Sequence, residues 1–513
     1  MLNTPKICML ISIGLYLLAM LVVGAICSRK NNSADDFYLG GRQLGPIVTA
    51  MSAEASDMSG WLLMGLPGVA YLSGICDAAW TGIGLAIGTY LNWLIVAKRI
   101  RRYSHVANNS ITIPDFFANR YRDKSNVIMI LSAAIILIFF VPYTASGFAA
   151  CGKLFASLFG INYLTAMIVS AVVIVGYTSL GGFLAASTTD LIQSIVMTIA
   201  LIIVLIFGIS VAGGFDAVVN NAKELPGYFS LAATYDIASN SASPYGMLTT
   251  FSTLAWGLGY FGMPHVLLRF MAINDHNKLS ISRRIATIWV VISLGVAIFI
   301  GAVGLAMTKA GAVEFLEGSA SETIIVRISS LLSTYGIIPA LIAGIILAGI
   351  LASTMSTADS QLIAASSAVS KNIFGVFFDI NNEPKRTMAS ARITLLVIAV
   401  VAAFIARDPN SSVFGIVSFA WAGFGAAFGP VVLFALFWRR SNRNGAIAGM
   451  LVGGVMVFVW KYLVRPMGGI WNIYELLPAF IFASIAIVVV SLLTKEPSKE
   501  ITDEFDMVAA MKD

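Results

Sequence analysis

Charged residues are scarce in this 513-residue chain, where Asp, Glu, Lys and Arg together make up only 11%. A soluble domain averages about a quarter charged residues. Apolar residues make up 58% of the chain, and the mean hydropathy is +0.87. The composition therefore excludes an ordinary soluble protein and indicates a membrane protein with many spans.

Histidine and cysteine are also rare. The three histidines are scattered, which argues against a zinc site, and the four cysteines form no CxxC pair. Since nucleophile motifs and phosphate-binding loops are absent from the sequence too, it predicts neither an enzyme nor a cofactor. The formal charge of +6 is explained more simply by basic cytoplasmic loops than by nucleic-acid binding.

Apolar stretches of about 20 residues recur along the chain, each long enough to cross a membrane as a helix. The first has one upstream lysine and no small-residue cleavage pattern, so we interpret it as a retained span rather than a signal peptide. Thirteen transmembrane helices are predicted, at 7–27, 46–72, 77–97, 127–150, 163–180, 191–212, 247–271, 286–307, 337–367, 388–406, 413–438, 446–463 and 476–493.

The placement of Lys and Arg predicts the orientation. With the N-terminus outside and the C-terminus in the cytoplasm, most basic residues lie inside, among them the KRIRR cluster at 98–102 and Arg269. The longest connection, 213–246, carries only Lys223 and lies outside. The charged tail, 495–513, is expected to be mobile. We therefore expect a multi-pass protein of a bacterial-type plasma membrane.

Two of the predicted spans contain segments that weaken a helix. Residues 52–68, SAEASDMSGWLLMGLPG, hold Glu54 and Asp57 in the second span, and residues 256–264, WGLGYFGMP, interrupt the seventh. Because the breaks lie five spans apart, the two helices run in opposite directions, which is typical of an inverted-repeat transporter. Such glycines also serve helix packing. A carboxylate near the middle of the bilayer, however, costs at least about 2.5 kcal/mol and is found where it meets a cation, a cavity or a partner.

Hydroxyl groups follow one face of the ninth span, ILASTMSTADSQLIAASS. Ser353, Ser356, Thr357 and Ser360 recur at three- and four-residue spacings. A sodium ion takes oxygen ligands of this kind. Serine and threonine in membrane helices also bond to their own helix or join neighbouring helices, and the pattern leaves both roles open.

Four further acidic residues lie near span ends or at the first break. Asp190 lies where the sixth span leaves the cytoplasmic surface, and it fits either a helix-start carboxylate or a station on a sodium exit route. Asp77 and Asp359 are predicted to be interfacial. Glu54, one residue before the break proper, is interpreted as protonated or paired.

Five segments resemble the sodium/solute symporter family, and within it the bacterial sodium/proline branch: SAEASDMSGWLLMGLPG, YLGGRQLGP, WGLGYFGMPH, ASTMSTADSQ and SFAWAGFGAAFGPVV. The resemblance extends over essentially the whole chain. It implies an all-α, five-plus-five inverted-repeat fold and sodium-driven uptake of L-proline by a protein embedded in the lipid bilayer. The implied parts are an N-terminal span and loop at 1–45, a first repeat at 46–212, an extracellular loop at 213–246, a second repeat at 247–438, two C-terminal spans at 439–494 and the tail at 495–513.

The resemblance also implies the site residues. Sodium, the coupling ion, would be held by carbonyls of Ala55, Met58 and Ser353 and hydroxyls of Ser356 and Thr357. Asp57 matches the essential carboxylate near that ion, and Asp190 matches the aspartate of the sodium pathway. The other matching positions are Arg42, Ser59 and Gly60, and a proline pocket formed by Tyr143, Trp256, Tyr260 and Pro264.

Glu54 and Ser353 depart from the family pattern, which has small residues there. The proposed solute fits the aromatic residues, because proline is a compact zwitterion whose apolar ring can be enclosed by them, although any one of them could instead face lipid or fill the core. The alternatives are a symporter of the same family for a sugar, pantothenate or a monocarboxylate, and a transporter-like membrane sensor. The sequence leaves the oligomeric state open.

Overall fold

The computed structural model describes residues 3–28, 34–378 and 384–511, and the chain there is largely helical. The first ten helices are α1 Thr4–Ser28, α2 Ala34–Leu39, α3 Pro46–Asp57, α4 Leu66–Ser73, α5 Ile75–Leu91, α6 Ala97–Val106, α7 Ile113–Arg120, α8 Val127–Phe159, α9 Tyr163–Val211 and α10 Phe215–Glu224. The others are α11 Met247–Leu254, α12 Pro264–Ala272, α13 Leu279–Lys309, α14 Ile324–Leu332, α15 Ile337–Ser367, α16 Gly375–Phe377, α17 Pro384–Ile405, α18 Val413–Phe437, α19 Arg443–Val459, α20 Leu476–Leu493 and α21 Lys499–Ala510.

Short 3-10 and π-helical turns join or interrupt these helices. The 3-10 turns are Gly40–Arg42, Ala255–Gly262, His276–Lys278, Gly318–Thr323, Ser333–Tyr335, Arg465–Met467 and Gly469–Trp471. The π-helical turns are Trp61–Gly65, Asn92–Val96, Ala368–Phe374 and Trp460–Val464. Two of these segments, Trp61–Gly65 and Ala255–Gly262, lie at the breaks that the sequence predicts.

The segment labelled α9 consists of two helices that meet at a kink and cover two of the predicted spans. Its backbone leaves the helical conformation at Gly182, where φ is 63° and ψ is −174°. A side chain would be strained at this positive φ, so glycine suits the position. The turn expected between 180 and 191 is thus a single sharp bend.

The connection 213–246 contains α10 and a hairpin of two short strands, β1 Ala233–Asp236 and β2 Ser241–Pro244. They pair antiparallel, with Ala233 opposite Pro244 and Asp236 opposite Ser241. The expectation of an all-α chain is wrong at this hairpin. Outside the apolar spans, backbone groups need not be satisfied within one helix, so strands are permitted there.

Nine helices within the described residues are long and apolar enough to cross a membrane, and three shorter apolar helices accompany them. Large apolar side chains on several of them are well exposed, including Val172, Ile206, Ile288 and Val400. Since such a continuous apolar surface would be costly in water, we assign it to lipid. The structure is therefore that of a helical, multi-pass membrane protein.

The long helix α15 lies at the centre and packs against α1, α3, α8 and α9. Its side chains from Ile346 to Ser367 are buried. Glycines allow the close approach, since a Cβ on Gly344 would lie 2.6 Å from Cβ of Ser12 in α1. This packing sets the hydroxyl-rich half of α15 directly beside the first break.

The tail is a docked helix, which corrects the expectation that it is mobile. On α21, Phe505 packs edge-on against Tyr103, and Glu504 accepts a 2.5 Å hydrogen bond from Arg122. Asp506 pairs with Arg439 through both carboxylate oxygens, and this hydrogen-bonded guanidinium lowers the pKa of Asp506 below its usual value. Apolar burial and opposite charge together hold the tail in place.

Candidate functional site

The first break begins where α3 ends at Asp57. The Met58 N–H still donates to the Glu54 carbonyl at 2.8 Å, and the Ser59 N–H then donates to the Asp57 carbonyl at 2.8 Å. The chain becomes helical again at Trp61. A Cβ on Gly60 would lie 3.0 Å from Cβ of Ala150, so only glycine fits this close approach to α8 without adjustment. The ladder of helical hydrogen bonds is thus interrupted at the break.

The second break is the 3-10 segment Ala255–Gly262. Met263 is extended, with φ −77° and ψ 109°, and Pro264 then begins α12, where its missing N–H costs no hydrogen bond. Side chains of other helices use the carbonyls of the segment. Trp421 Nε1 donates to the Trp256 carbonyl at 2.7 Å, and Asn92 Nδ2 donates to the Tyr260 carbonyl at 3.0 Å.

Asp57 connects the two breaks. Its Oδ2 accepts a 2.6 Å hydrogen bond from the Tyr260 hydroxyl, and its main-chain carbonyl accepts bonds from Tyr143 at 3.1 Å and Trp61 Nε1 at 3.3 Å. The residue is completely buried. The structure therefore brings Asp57 together with two of the predicted pocket residues, Tyr143 and Tyr260.

The hydroxyl-rich face of α15 meets the first break at Ala55. Ser356 Oγ donates to the Ala55 carbonyl at 2.8 Å and lies 3.2 Å from the Ser353 carbonyl. Thr357 Oγ1 also lies 3.2 Å from the Ser353 carbonyl. Four of the five predicted sodium ligands thus form one buried oxygen cluster, and Met58 follows in the break. The bond from Thr357 to its own helix is the alternative role that the sequence left open.

The predicted solute-pocket residues Trp256 and Tyr260 pack among aromatic rings, several of which the sequence did not single out. Trp256 stacks on Tyr474, with ring centroids 5.1 Å apart and planes 19° apart, and it lies 5.4 Å from Phe414 and 6.2 Å from Trp61. Tyr260 meets Trp421 edge-on at 5.0 Å. Of the residues missed, Trp61 and Trp421 stand inside motifs that carry the family resemblance. Phe414 and Tyr474 carry no such sequence signal.

Asp190 is deeply buried, which contradicts its predicted place at the cytoplasmic surface. Its Oδ2 accepts hydrogen bonds from Ser52 at 2.6 Å and from Arg269 at 3.2 Å. Arg269 also donates to Ser360 at 2.5 Å, and Ser360 contacts Asp359 at 3.2 Å. The prediction that Asp359 is interfacial is wrong, and Arg269, which was predicted on the cytoplasmic side at the end of the span 247–271, is buried beside it. The long α9 and α15 carry these groups inward, where each charge requires a partner.

Two other predicted residues lie apart from this cluster. Arg42 has a positive φ of 56°, and its guanidinium donates to the main-chain carbonyls of Met271 and Ser110, both at 2.7 Å. It thereby fixes the end of α12 to the loop after α6. Asp77 lies in the first turn of α5, where it accepts a 2.6 Å bond from Tyr245, in keeping with a position near a span end.

Comparison with known proteins identifies the family to which these breaks belong. The sequence model of the sodium:solute symporter family matches residues 37–453. The chain belongs to this family. A sodium/proline symporter of Haemophilus influenzae is 44% identical over 501 residues, which are 97% of each chain. A sodium/proline symporter of Escherichia coli is 42% identical over 98% of this chain and 96% of its own.

Two other comparisons extend the relationship. The osmoregulated proline transporter OpuE of Bacillus subtilis is 39% identical over 96% of both chains. A sodium-coupled sialic acid symporter, solved in a substrate-bound outward-open state, superposes with a TM-score of 0.77 at 17% identity and covers 96% of this chain and 99% of its own. The chain thus shares its fold with a protein of very different sequence.

Proposed function

We propose that this symporter couples the inward movement of sodium to the import of L-proline by alternating access. The observation that carries the proposal is the contact between Ser356 and the Ala55 carbonyl, which joins α15 to the first break beside Asp57. Several relatives at 38–44% identity over nearly the full length are named sodium/proline symporters, which supports this choice of ion and solute.

The sodium ion would be held by the oxygen cluster between the first break and α15. Carbonyls of Ala55, Met58 and Ser353 would act together with the hydroxyls of Ser356 and Thr357, since oxygen atoms are the ligands that hard cations prefer. Asp57 would balance the charge of the ion from the same break. Asp190, bonded to Ser52, which lies five residues before Asp57 on α3, would lie on the path by which sodium leaves toward the cytoplasm.

Proline would occupy the aromatic pocket beside the second break. Trp256, Tyr260 and Tyr143 would enclose its ring. Backbone groups at Ser59, Gly60 and Pro264, where helices are interrupted, would face its charged groups. Arg42 would act at a distance, by holding the cytoplasmic end of α12.

We propose thirteen spans in two inverted repeats, at 46–212 and 247–438, with the N-terminus outside and the C-terminus in the cytoplasm. The nine long helices, the three shorter apolar ones and the interrupted pair α11 and α12 are compatible with this number. A positive charge crossing about 100 mV releases roughly 2.3 kcal/mol, and a tenfold sodium gradient adds about 1.4 kcal/mol. One ion per solute would therefore sustain an accumulation of several hundredfold.

Purified protein in proteoliposomes tests the proposal. Labelled proline should accumulate when an inward sodium gradient is imposed and should not when potassium replaces sodium. Unlabelled sugar, pantothenate and monocarboxylates should not compete. If one of these compounds blocked uptake of the label and unlabelled proline did not, the solute would be that compound. If the protein bound proline but did not transport it, a sensor would be favoured.

A further inference from the structure

A cavity of about 420 Å³ lies between α6 and the end of the tail helix α21. Three basic side chains of α6 line it, those of Lys98, Arg99 and Arg102. Its other walls are apolar, and within the described chain no aspartate or glutamate lines it. A cavity of this size can hold a small chemical group, and the charge of its basic wall favours an anion.

Arg99 is held in the wall of this cavity by two aromatic rings. Its guanidinium carbon lies 5.0 Å from the ring centroid of Phe437 and 5.1 Å from that of Phe505. These contacts orient the cation but do not neutralise its charge. Its Nε is buried and, among the described residues, has no hydrogen-bond partner. A planar guanidinium in this position suits the oxygen atoms of a phosphate group.

Arg102 connects the cavity to the tail. It donates a hydrogen bond to the main-chain carbonyl of Met511 at 2.7 Å, and Met511 itself lines the cavity. A group bound in the cavity would therefore contact both α6 and the end of the tail.

One wall of the cavity continues onto a surface that we assign to lipid. Leu94 and Ile95, about one turn before the basic residues, line the cavity and are 42% and 40% exposed. Phe437 of α18 is 43% exposed, and Ile87 and Leu91 are exposed further along the same helical stretch. An apolar surface that ends at a group of cations matches a phospholipid, which joins acyl chains and a charged headgroup in one molecule. A free anion would use the cations alone.

We propose that Lys98, Arg99 and Arg102 bind the headgroup of one anionic phospholipid whose acyl chains lie along Leu94 and Ile95. The site lies beside the tail, on the face of the membrane that we propose to be cytoplasmic. Basic pockets between helices on that side are suited to anionic headgroups. The inference goes beyond sodium-driven transport and does not depend on which solute the protein carries.

Native mass spectrometry of the purified full-length protein in detergent tests the proposal. The wild type is titrated with phosphatidylglycerol and, separately, with phosphatidylcholine that has the same acyl chains. Since each basic residue near an anionic headgroup contributes about fivefold in affinity, the three together should favour the first phosphatidylglycerol by at least about tenfold. Equal affinity for the two lipids would overturn the proposal, and this comparison needs no variant.

Two substitutions in the cavity test the location of the site. Arg99→Gln removes a charge and should weaken the binding of phosphatidylglycerol about fivefold, while the binding of phosphatidylcholine stays unchanged. Lys98→Gln should cause a similar loss and leaves the contacts of Arg99 with its two rings intact, so it tests the location even if Arg99→Gln fails to fold. Wild-type affinity for phosphatidylglycerol in both variants would overturn the site.

The matched control is Arg284→Gln, which removes an exposed charge of α13 outside the cavity. Its affinity for phosphatidylglycerol should equal that of the wild type. An equal loss in this control would show that surface cations contribute in general, and the specific site would be wrong. Inorganic phosphate in millimolar excess should not displace phosphatidylglycerol. Displacement would assign the cavity to a free anion and contradict the lipid site.

Discussion

At the scale of single residues, Asp57 has the richest set of contacts in the site. Its carboxylate accepts the Tyr260 hydroxyl, and its carbonyl accepts Tyr143 and Trp61. These three partners come from the second break, α8 and the first break. A change at Asp57 therefore affects the charge available to a cation and the relative positions of the two breaks together.

Replacing Asp57 by Asn should abolish sodium-driven proline uptake. The amide oxygen can still accept the Tyr260 hydroxyl, so the packing survives, but the charge that would balance a buried cation is lost. Initial uptake rates over a sodium titration, at matched protein levels, measure the effect. Wild-type transport by Asp57→Asn at low sodium would contradict the role given to this carboxylate.

Substituting Ser356 or Thr357 by Ala should shift the sodium dependence of uptake to higher concentration. Each change removes a proposed ligand and leaves a residue that favours the helix. Apparent proline affinity should weaken as well, because the binding of two coupled ligands is reciprocal. A sodium titration of proline uptake measures both effects.

Thr354 provides the matched control for these variants. Its Oγ1 bonds to the Ile350 carbonyl one turn back, and its side chain packs toward Gly60 and Gly147 rather than Ala55. Thr354→Ala should therefore change the sodium dependence little. A large shift in Thr354→Ala, with wild-type behaviour of the other two, would mean that α15 faces the ion differently.

Some of these residues could be predicted from local sequence patterns, whereas others depend on contacts between distant positions. The hydroxyls of α15 recur at helical spacing and Asp57 interrupts an apolar span, so local patterns indicate both. The pairing of Arg269 with Asp190 was not predicted, because the two residues are 79 positions apart and no local pattern reveals the pair. Tyr474 reaches Trp256 only through the packing of α18, α20 and the second break, which periodicity does not encode.

At the scale of elements, the N-terminus of α18 is held by a buried ion pair. Glu322 accepts hydrogen bonds from the N–H groups of Val413 and Phe414 at 3.1 and 3.2 Å, and from Lys153 at 2.7 Å. A carboxylate at a helix start accepts hydrogen bonds from free N–H groups, and its negative charge interacts favourably with the helix dipole. Because Phe414 packs on Trp256, this contact also positions one wall of the proposed proline pocket.

Glu322→Gln should lower stability by about 3–5 kcal/mol, since it leaves the Lys153 charge buried without its partner. Lys153 and Glu322 are only 6% and 5% exposed, so water cannot replace the lost contact. Thermal unfolding of the purified protein measures the change. The double variant Lys153→Met with Glu322→Gln should recover part of the loss. Equal stability of the wild type and Glu322→Gln would show that the pair contributes little.

The positions of most helices could be predicted from apolar runs in the sequence. The connections between helices could not. The predicted spans 163–180 and 191–212 follow each other directly, because Gly182 allows a sharp bend between two helices without a loop. The hairpin of β1 and β2 lies in a polar segment without alternating apolar residues, so no strand pattern marks it. The count of thirteen spans remains a prediction, because it depends on how interrupted helices are counted.

At the scale of the whole molecule, the hairpin and the tail lie at opposite ends of one long helix. The continuous helical stretch from Ile75 to Val106 has 32 residues, or roughly 48 Å at 1.5 Å per residue. Near the start of this stretch, Trp80 Nε1 donates to the carbonyl of Leu231, just before the hairpin, at 2.8 Å. The tail meets its other end, where Arg102 donates to the Met511 carbonyl at 2.7 Å. Hairpin and tail therefore belong on opposite faces of a membrane.

The excess of Lys and Arg near the tail predicts which face is cytoplasmic, and paired cysteine substitutions test it. Ala238 in the hairpin and Ala509 in α21 are both exposed, so each can become a reactive thiol in a background without the four native cysteines. In intact cells, a membrane-impermeant maleimide should label Ala238→Cys and spare Ala509→Cys. Permeabilised cells should show labelling of both, which controls for folding and accessibility. The reverse pattern in intact cells would place the tail outside, and the direction of sodium-driven transport would then have to be inverted as well.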